Sequence, residues 1–297
     1  MAERLAAIDV GSNTVLLTVA QLGADRSLTT IHEAEDQPRL GAALRTIGRL
    51  SDEAMSRALE VLAGMRAACD RLEVRRISAV ATAAVREAAN GSEFVHRAQA
   101  LEIPLRVISP DEEAALAYRS AAYRFPGDEP TLVADIGGGS LELIGAASHK
   151  VELLRSLPLG AVRLTEMHFA SEDLHRHISG LLSATVPPTK WTGSRIIGSG
   201  GTFATLASMI LAGRRESQTI HGTSVSADEI RDLLARLAVM SPEERRQVAG
   251  LPRERADIIV PGLTVVAELV KVIQARDVTV SGFGLRDGLL LEMTGQS

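Results

Sequence analysis

Two segments of this chain are written alike, and both demand the same path of the backbone. The first runs Leu5-Ala6-Ala7-Ile8, passes through Asp9-Val10-Gly11-Ser12-Asn13-Thr14 and resumes as Val15-Leu16-Leu17-Thr18-Val19. The second runs Leu132-Val133-Ala134, passes through Asp135-Ile136-Gly137-Gly138-Gly139-Ser140 and resumes as Leu141-Glu142-Leu143-Ile144. Glycine adopts backbone conformations that other residues resist, so each segment reads as strand, tight turn, strand, with an aspartate closing the first strand. One such hairpin in each half predicts two domains, each opening on antiparallel strands.

The length allows this, since 297 residues suffice for two domains with cores of their own. Apolar residues make up 45% and charged residues 23%, an ordinary globular balance. No apolar run reaches bilayer length, Asp9 interrupts the N-terminal one, and Glu3 is unlike the basic start of a signal peptide, so no membrane association is expected. Cys69 is the single cysteine, which rules out an intrachain disulfide and fits a cytoplasmic location. The formal net charge of −5 means that a polyanionic partner must meet a local basic patch. Aromatics at 3% leave few stacking platforms, and no zinc spacing or groove-binding helix is evident, so no nucleic acid is expected as partner.

Along the chain, strands are predicted over residues 5–20 (the first hairpin), 28–34, 76–81 and 104–108. Ser51 caps a helix in which Met55, Leu59, Leu62 and Met65 recur at helical spacing. Ser109-Pro110-Asp111-Glu112 reads as a capping box with proline at the first helical position, opening a helix to about Arg124. Phe125 to Pro130 is a breaker, so the domains are placed at 1–125 and 126–284, with a C-terminal helix 285–297 packing back on the first. The second half repeats the order: a hairpin over 131–147, a strand near 151–157, a helix, then the strand Ser194 to Ile197 ending in Gly198-Ser199-Gly200-Gly201-Thr202 before another helix. A helix over 256–274 and a strand over 277–281 precede the last helix. Strands alternating with helices after a hairpin indicate an α/β fold with mixed sheets, and the two hairpins suggest a duplication.

Three glycine turns carry the candidate chemistry. Backbone N–H groups can converge there on an anion, and a helix N-terminus favours negative charge. Gly11, Ser12 and Asn13, then Gly137, Gly138, Gly139 and Ser140, then Gly200 and Gly201 are therefore candidate phosphate-binding residues; each turn alone could equally be a plain hairpin. Asp135 and Glu142 could face a divalent ion that keeps most of its waters, as magnesium does. On spacing alone an Asx turn for Asp135 and a solvated strand face for Glu142 stand beside that reading. Glu112 is accounted for by capping, whereas Glu113 lies above Leu116, Ala117 and Ser120 and could orient or deprotonate a water, or merely favour the helix dipole. Arg86 suits a fork donor to phosphate or an ion pair with Glu87 or another acid. His32, His96, His149, His168, His175, His177 and His221 lack metal-ligand spacing, and Cys69 reads as packing.

At these residues the chain resembles the exopolyphosphatase and guanosine pentaphosphate phosphohydrolase family, within the actin, sugar-kinase and Hsp70 superfamily. The likeness rests on ordered motifs from Ile8 to about Glu292. They are Ile8 to Thr14, Thr82 to Arg86, Ile108 to Ala114, Asp135 to Glu142, Pro158-Leu159-Gly160-Ala161-Val162-Arg163, Gly198 to Thr202, Val260-Pro261-Gly262 and Gly284-Leu285-Arg286-Asp287-Gly288. The resemblance implies two ribonuclease H-like domains around an interdomain cleft. It places the catalytic glutamate on Glu113, the active-site arginine on Arg86, the magnesium-associated acids on Asp135 and Glu142 with Asp9 as a third, and the phosphate loops on the first two glycine turns. Mg2+, or Mn2+ in its place, would be the cofactor, and a homodimer the assembly. Longer members carry further C-terminal helical domains that this chain is expected to lack. Many relatives have Arg or His where Leu16 stands, and the common Thr is replaced by Leu141. The function expected is hydrolysis of the terminal phosphate of inorganic polyphosphate. The alternatives are pppGpp 5′-phosphohydrolysis, a nucleotide-dependent kinase or switch, and a non-catalytic sensor of ppGpp.

Overall fold

The computed structural model describes residues 3–42, 44–148, 150–217 and 219–296; His149 lies outside them. The first elements in chain order are β1 (Arg4–Val10), β2 (Val15–Leu22), β3 (Leu28–Asp36), α1 (Leu44–Ile47), α2 (Asp52–Arg71), β4 (Arg76–Ala81), α3 (Ala83–Glu87), α4 (Gly91–Gln99), β5 (Leu105–Val107) and α5 (Pro110–Arg124). Then follow β6 (Thr131–Ile136), β7 (Leu141–Ala147), β8 (Lys150–Leu157), α6 (Ala161–Glu166), α7 (Ser171–Thr185), α8 (Pro188–Trp191), β9 (Arg195–Ser199) and α9 (Gly200–Arg214). The chain ends with β10 (Ser224–Ser226), α10 (Ala227–Ala238), α11 (Pro242–Arg245), α12 (Ile259–Ile273), β11 (Asp277–Val280) and α13 (Leu285–Thr294). Two compact units result: residues up to Tyr123 together with those from Leu285 onward, and Arg124–Gly284.

The first unit holds a five-stranded mixed sheet in the order β3-β2-β1-β4-β5. β1 pairs antiparallel with β2 and parallel with β4, and β4 runs parallel to β5. The alternating pattern of β1 explains its central place. Ala6, Ile8 and Val10 pack with Met55, Leu62 and Phe94 of α2 and α4 on one face. Leu5 and Ala7 pack with Leu116 of α5 and Leu289 and Leu290 of α13 on the other. Ser51 caps α2 by accepting from the Ala54 N–H at 3.2 Å. Ser109 accepts from the Glu112 N–H at 3.1 Å, but the Glu112 carboxylate turns to Arg106. The cap of α5 is therefore one-sided, because the nearby guanidinium competes with the Ser109 N–H for that carboxylate. The α13 helix seats closely on α5. A Cβ at Gly288 would lie 2.2 Å from the Leu116 carbonyl oxygen, and Asp287 accepts a 3.0 Å bond from Ser120.

The second unit holds a six-stranded sheet in the order β8-β7-β6-β9-β11-β10. β6 pairs antiparallel with β7 and parallel with β9, so its first five strands repeat the order and directions of the other sheet. The α12 helix, apolar on nearly every side, is buried among α7, α9 and α10. No helix among the described residues is long and apolar enough to cross a membrane.

Candidate functional site

In the first unit the Asp9-led turn is closed by the Gly11 N–H donating to the Thr14 carbonyl at 2.9 Å. The carbonyls of Ser12 and Asn13 accept from the N–H groups of Gly41 (2.8 Å) and Arg39 (3.0 Å), which fixes their peptide planes from behind. The Asn13 side chain is buried and donates to Gln37 at 3.1 Å, while its Oδ1 meets no hydrogen-bond donor among the described residues. An unmatched buried carbonyl oxygen is costly, and is tolerated where a further donor completes it. Asp9 is paired in register with Leu16 on β2, and the two side chains share one face.

Glu113 occupies the first turn of α5 and is 8% exposed. The Arg86 Nη1 donates to Glu113 Oε2 at 3.1 Å and to the Ile108 carbonyl at 2.9 Å. Arg86 thus forms an ion pair with Glu113. A first-turn glutamate serving the helix dipole alone would sit in solvent; this one is buried against a guanidinium held by a backbone carbonyl.

In the second unit the cross-strand register brings four polar side chains into one row. Asp135 on β6 is directly opposite Glu142 on β7, Glu142 is opposite Ser156 on β8, and Asp135 is opposite Ser199 at the end of β9. Both serines orient the acids: Ser156 donates to Glu142 Oε1 at 2.8 Å, and Ser199 donates to Asp135 Oδ2 at 2.7 Å. Burial pushes the Asp135 carboxyl above its ordinary range, with the Ser199 hydroxyl opposing the shift. Gly200 lets backbone approach this carboxylate. It has φ +86°, and a Cβ there would lie 2.6 Å from Asp135 Oδ1. Gly201 does the same for Arg255, whose guanidinium would meet a Cβ at 2.1 Å. Gly137 to Ser140 lie between the two acids, closed by a 3.0 Å bond from the Gly137 N–H to the Ser140 carbonyl.

Sequence reasoning assigned no role to Ser156, Ser199, Gln37 or Arg39. Ser156 could have been found from the register of the hairpin that follows Glu142, had the turn between β7 and β8 been placed. The other three are brought to the site by chain segments distant in sequence. Among the histidines, His175 is bound to Glu268 of α12 at 2.8 Å. Cys69 is buried, its thiol pushed up to about 11 by desolvation, which suits packing rather than reactivity. No group of three or more His, Cys, Asp or Glu side chains gathers at a point among the described residues.

The model of the Ppx/GppA phosphatase family matches residues 18–297. The chain belongs to the Ppx/GppA phosphatase family. Among solved structures it is similar to an exopolyphosphatase from Cytophaga hutchinsonii, at 29% identity and a TM-score of 0.92, over 99% of each chain. It is also similar to the Aquifex aeolicus Ppx/GppA family member, at 29% identity and a TM-score of 0.83, over 99% of this chain and 98% of that one. A second structure of the Aquifex aeolicus enzyme matches at 31% identity with a TM-score of 0.82, over 98% of this chain and 100% of the other. The two mixed sheets described above are thus those of Ppx/GppA phosphatases.

Proposed function

We propose that this Ppx/GppA phosphatase is an exopolyphosphatase, removing the terminal phosphate of inorganic polyphosphate by attack of water. The observation that carries this reading is the buried Glu113 carboxylate gripped by Arg86. Phosphoryl transfer passes through a loose transition state that needs an oriented water and stabilised charge more than a strong base. A carboxylate offers about four acceptor sites, so the Arg86 contact leaves capacity for a water proton, and it fixes where that water sits. Arg86 then acts through Glu113, and its remaining donors are available to phosphate oxygens.

Within each unit the glycine turns offer backbone N–H groups to phosphate oxygens: Ser12 and Asn13 in the first, and Gly138, Gly139 and Ser140, with the Gly200-Gly201 turn, in the second. Asp135 and Glu142, aligned on one face and each steadied by a serine, suit magnesium or manganese, which takes one or two carboxylates and keeps its other ligands as water and phosphate. Bound there, the ion would supply positive charge to the phosphoryl oxygens. Asp9 has Leu16 rather than a second acid as its cross-strand partner and is the weaker candidate ligand. The same Leu16 favours polyphosphate over pppGpp, since an aliphatic side chain there offers no charge to a further phosphate. The reading carries with it a cytoplasmic location.

The test is orthophosphate release from short polyphosphate, long polyphosphate, pppGpp and ATP, each with magnesium, manganese or chelator. Polyphosphate should be the preferred substrate and chelator should abolish release. Glu113→Gln should lower kcat by about 10²–10⁴-fold while polyphosphate binding persists. Preferred release from pppGpp would replace this substrate with the alternative one, and near-normal turnover of the variant would remove Glu113 from the chemistry.

A further inference from the structure

The stretch from Pro158 to Arg163 takes no part in the chemistry above, yet it lies directly behind the glycine turn of the second unit. Its contacts fall on the three glycine carbonyls in order. The Gly137 oxygen accepts from the Ala161 N–H at 3.0 Å. The Gly138 oxygen accepts from the N–H groups of Val162 (3.0 Å) and Arg163 (3.1 Å). The Gly139 oxygen accepts from Arg163 Nε at 2.7 Å. So close an approach requires glycine at 160, where a Cβ would lie 2.3 Å from the Gly138 oxygen.

A trans peptide points the C=O of one residue and the N–H of the next in opposite directions. Pinning the carbonyls of 137, 138 and 139 toward α6 therefore aims the N–H groups of Gly138, Gly139 and Ser140 the other way. None of those three N–H groups donates to a protein acceptor among the described residues. They form one row whose direction is set from behind. Backbone secures the first two planes of the row; only the third, which carries the Ser140 N–H, depends on a side chain.

We infer that Arg163 is a positioning residue of this phosphate loop: its Nε–H holds the 139–140 peptide so that the Ser140 N–H faces the phosphoryl oxygens. The inference rests on the reading of the loop as a phosphate site. Its consequence is specific to one atom. Glutamine has an N–H donor at the same place along the side chain as arginine Nε, but no charge. Methionine has the length and no donor, and lysine keeps the charge without a donor at that place.

The experiment is calorimetric binding of tripolyphosphate with magnesium, in the full chain carrying Glu113→Gln to suppress turnover, with Tm measured for each protein. Added to that parent, Arg163→Met should weaken binding about tenfold, the worth of one well-aimed hydrogen bond to a charged group. Arg163→Gln should return it to within about threefold of the parent, and Arg163→Lys should bind as weakly as the methionine variant. Should the methionine variant fail to fold, the glutamine and lysine variants give the same comparison. If Lys binds like the parent while Gln does not, Arg163 touches phosphate by its charge and the inference is wrong. Equal binding by all variants also overturns it. A parent that binds no tripolyphosphate at all would instead refute the phosphate-site reading.

Discussion

At the scale of single residues, burial sets two adjacent acids apart. Glu112 and Glu113 are neighbours, yet the first is a half-exposed partner of Arg106 and the second is buried against Arg86. Asp135 differs again. Its carboxyl is pushed above the ordinary range by burial, so the folded chain holds that proton more tightly than the unfolded one. Stability must then fall as pH rises through the window between the unfolded and folded values, and at neutral pH this carboxyl group is a cost to the fold. Asp135→Asn keeps an acceptor for Ser199 and removes the charge. In chelator it should raise Tm at pH 7, and the gain should vanish below about pH 4, where the wild-type group is neutral in both states. A pH series of thermal melts checks the sign.

At the scale of elements, the most legible were those with local punctuation. Ser51 before Asp52, Ser109 before Pro110 and the glycine turns mark where α2, α5 and the two hairpins begin, because caps and turns are satisfied by residues a few positions away. The α10 helix was missed although Ser226 and Glu229 form a full capping box, with the Glu229 N–H donating to Ser226 at 3.2 Å. Its preceding strand has only three residues and gave no periodic signal. Ser226→Ala should cost about 1 kcal/mol in denaturant titration. The α5–α13 contact is a harder constraint. A methyl at Gly288 meets backbone rather than a movable side chain, so Gly288→Ala should destabilise by about 1–3 kcal/mol, read as a lower denaturation midpoint.

At the scale of the whole molecule, the two sheets repeat one topology but not one chemistry. Asp9 and Asp135 end equivalent strands, and the residue opposite each is Leu16 in one unit and Glu142 in the other. Of these two equivalent positions, the one in the second unit faces a second carboxylate directly across the strands. The proposed preference for polyphosphate can be tested at Leu16. Leu16→Arg should raise kcat/KM for pppGpp relative to polyphosphate by about tenfold, the worth of one charge-assisted contact, in competition assays.

What could be read from the chain itself was local: the paired Asp-led turns, the α/β alternation, the capped helices, and, through resemblance, the residues now placed at the candidate site. Turn and cap signals survive in sequence because their partners lie within a few residues. Only tertiary structure brought Arg86 to Glu113, aligned Ser156 and Ser199 with the acids, and set Arg163 behind the Gly139 carbonyl. Those contacts join segments that no spacing rule connects, since strand pairing and helix docking decide them by burying apolar faces, and the polar partners are carried along.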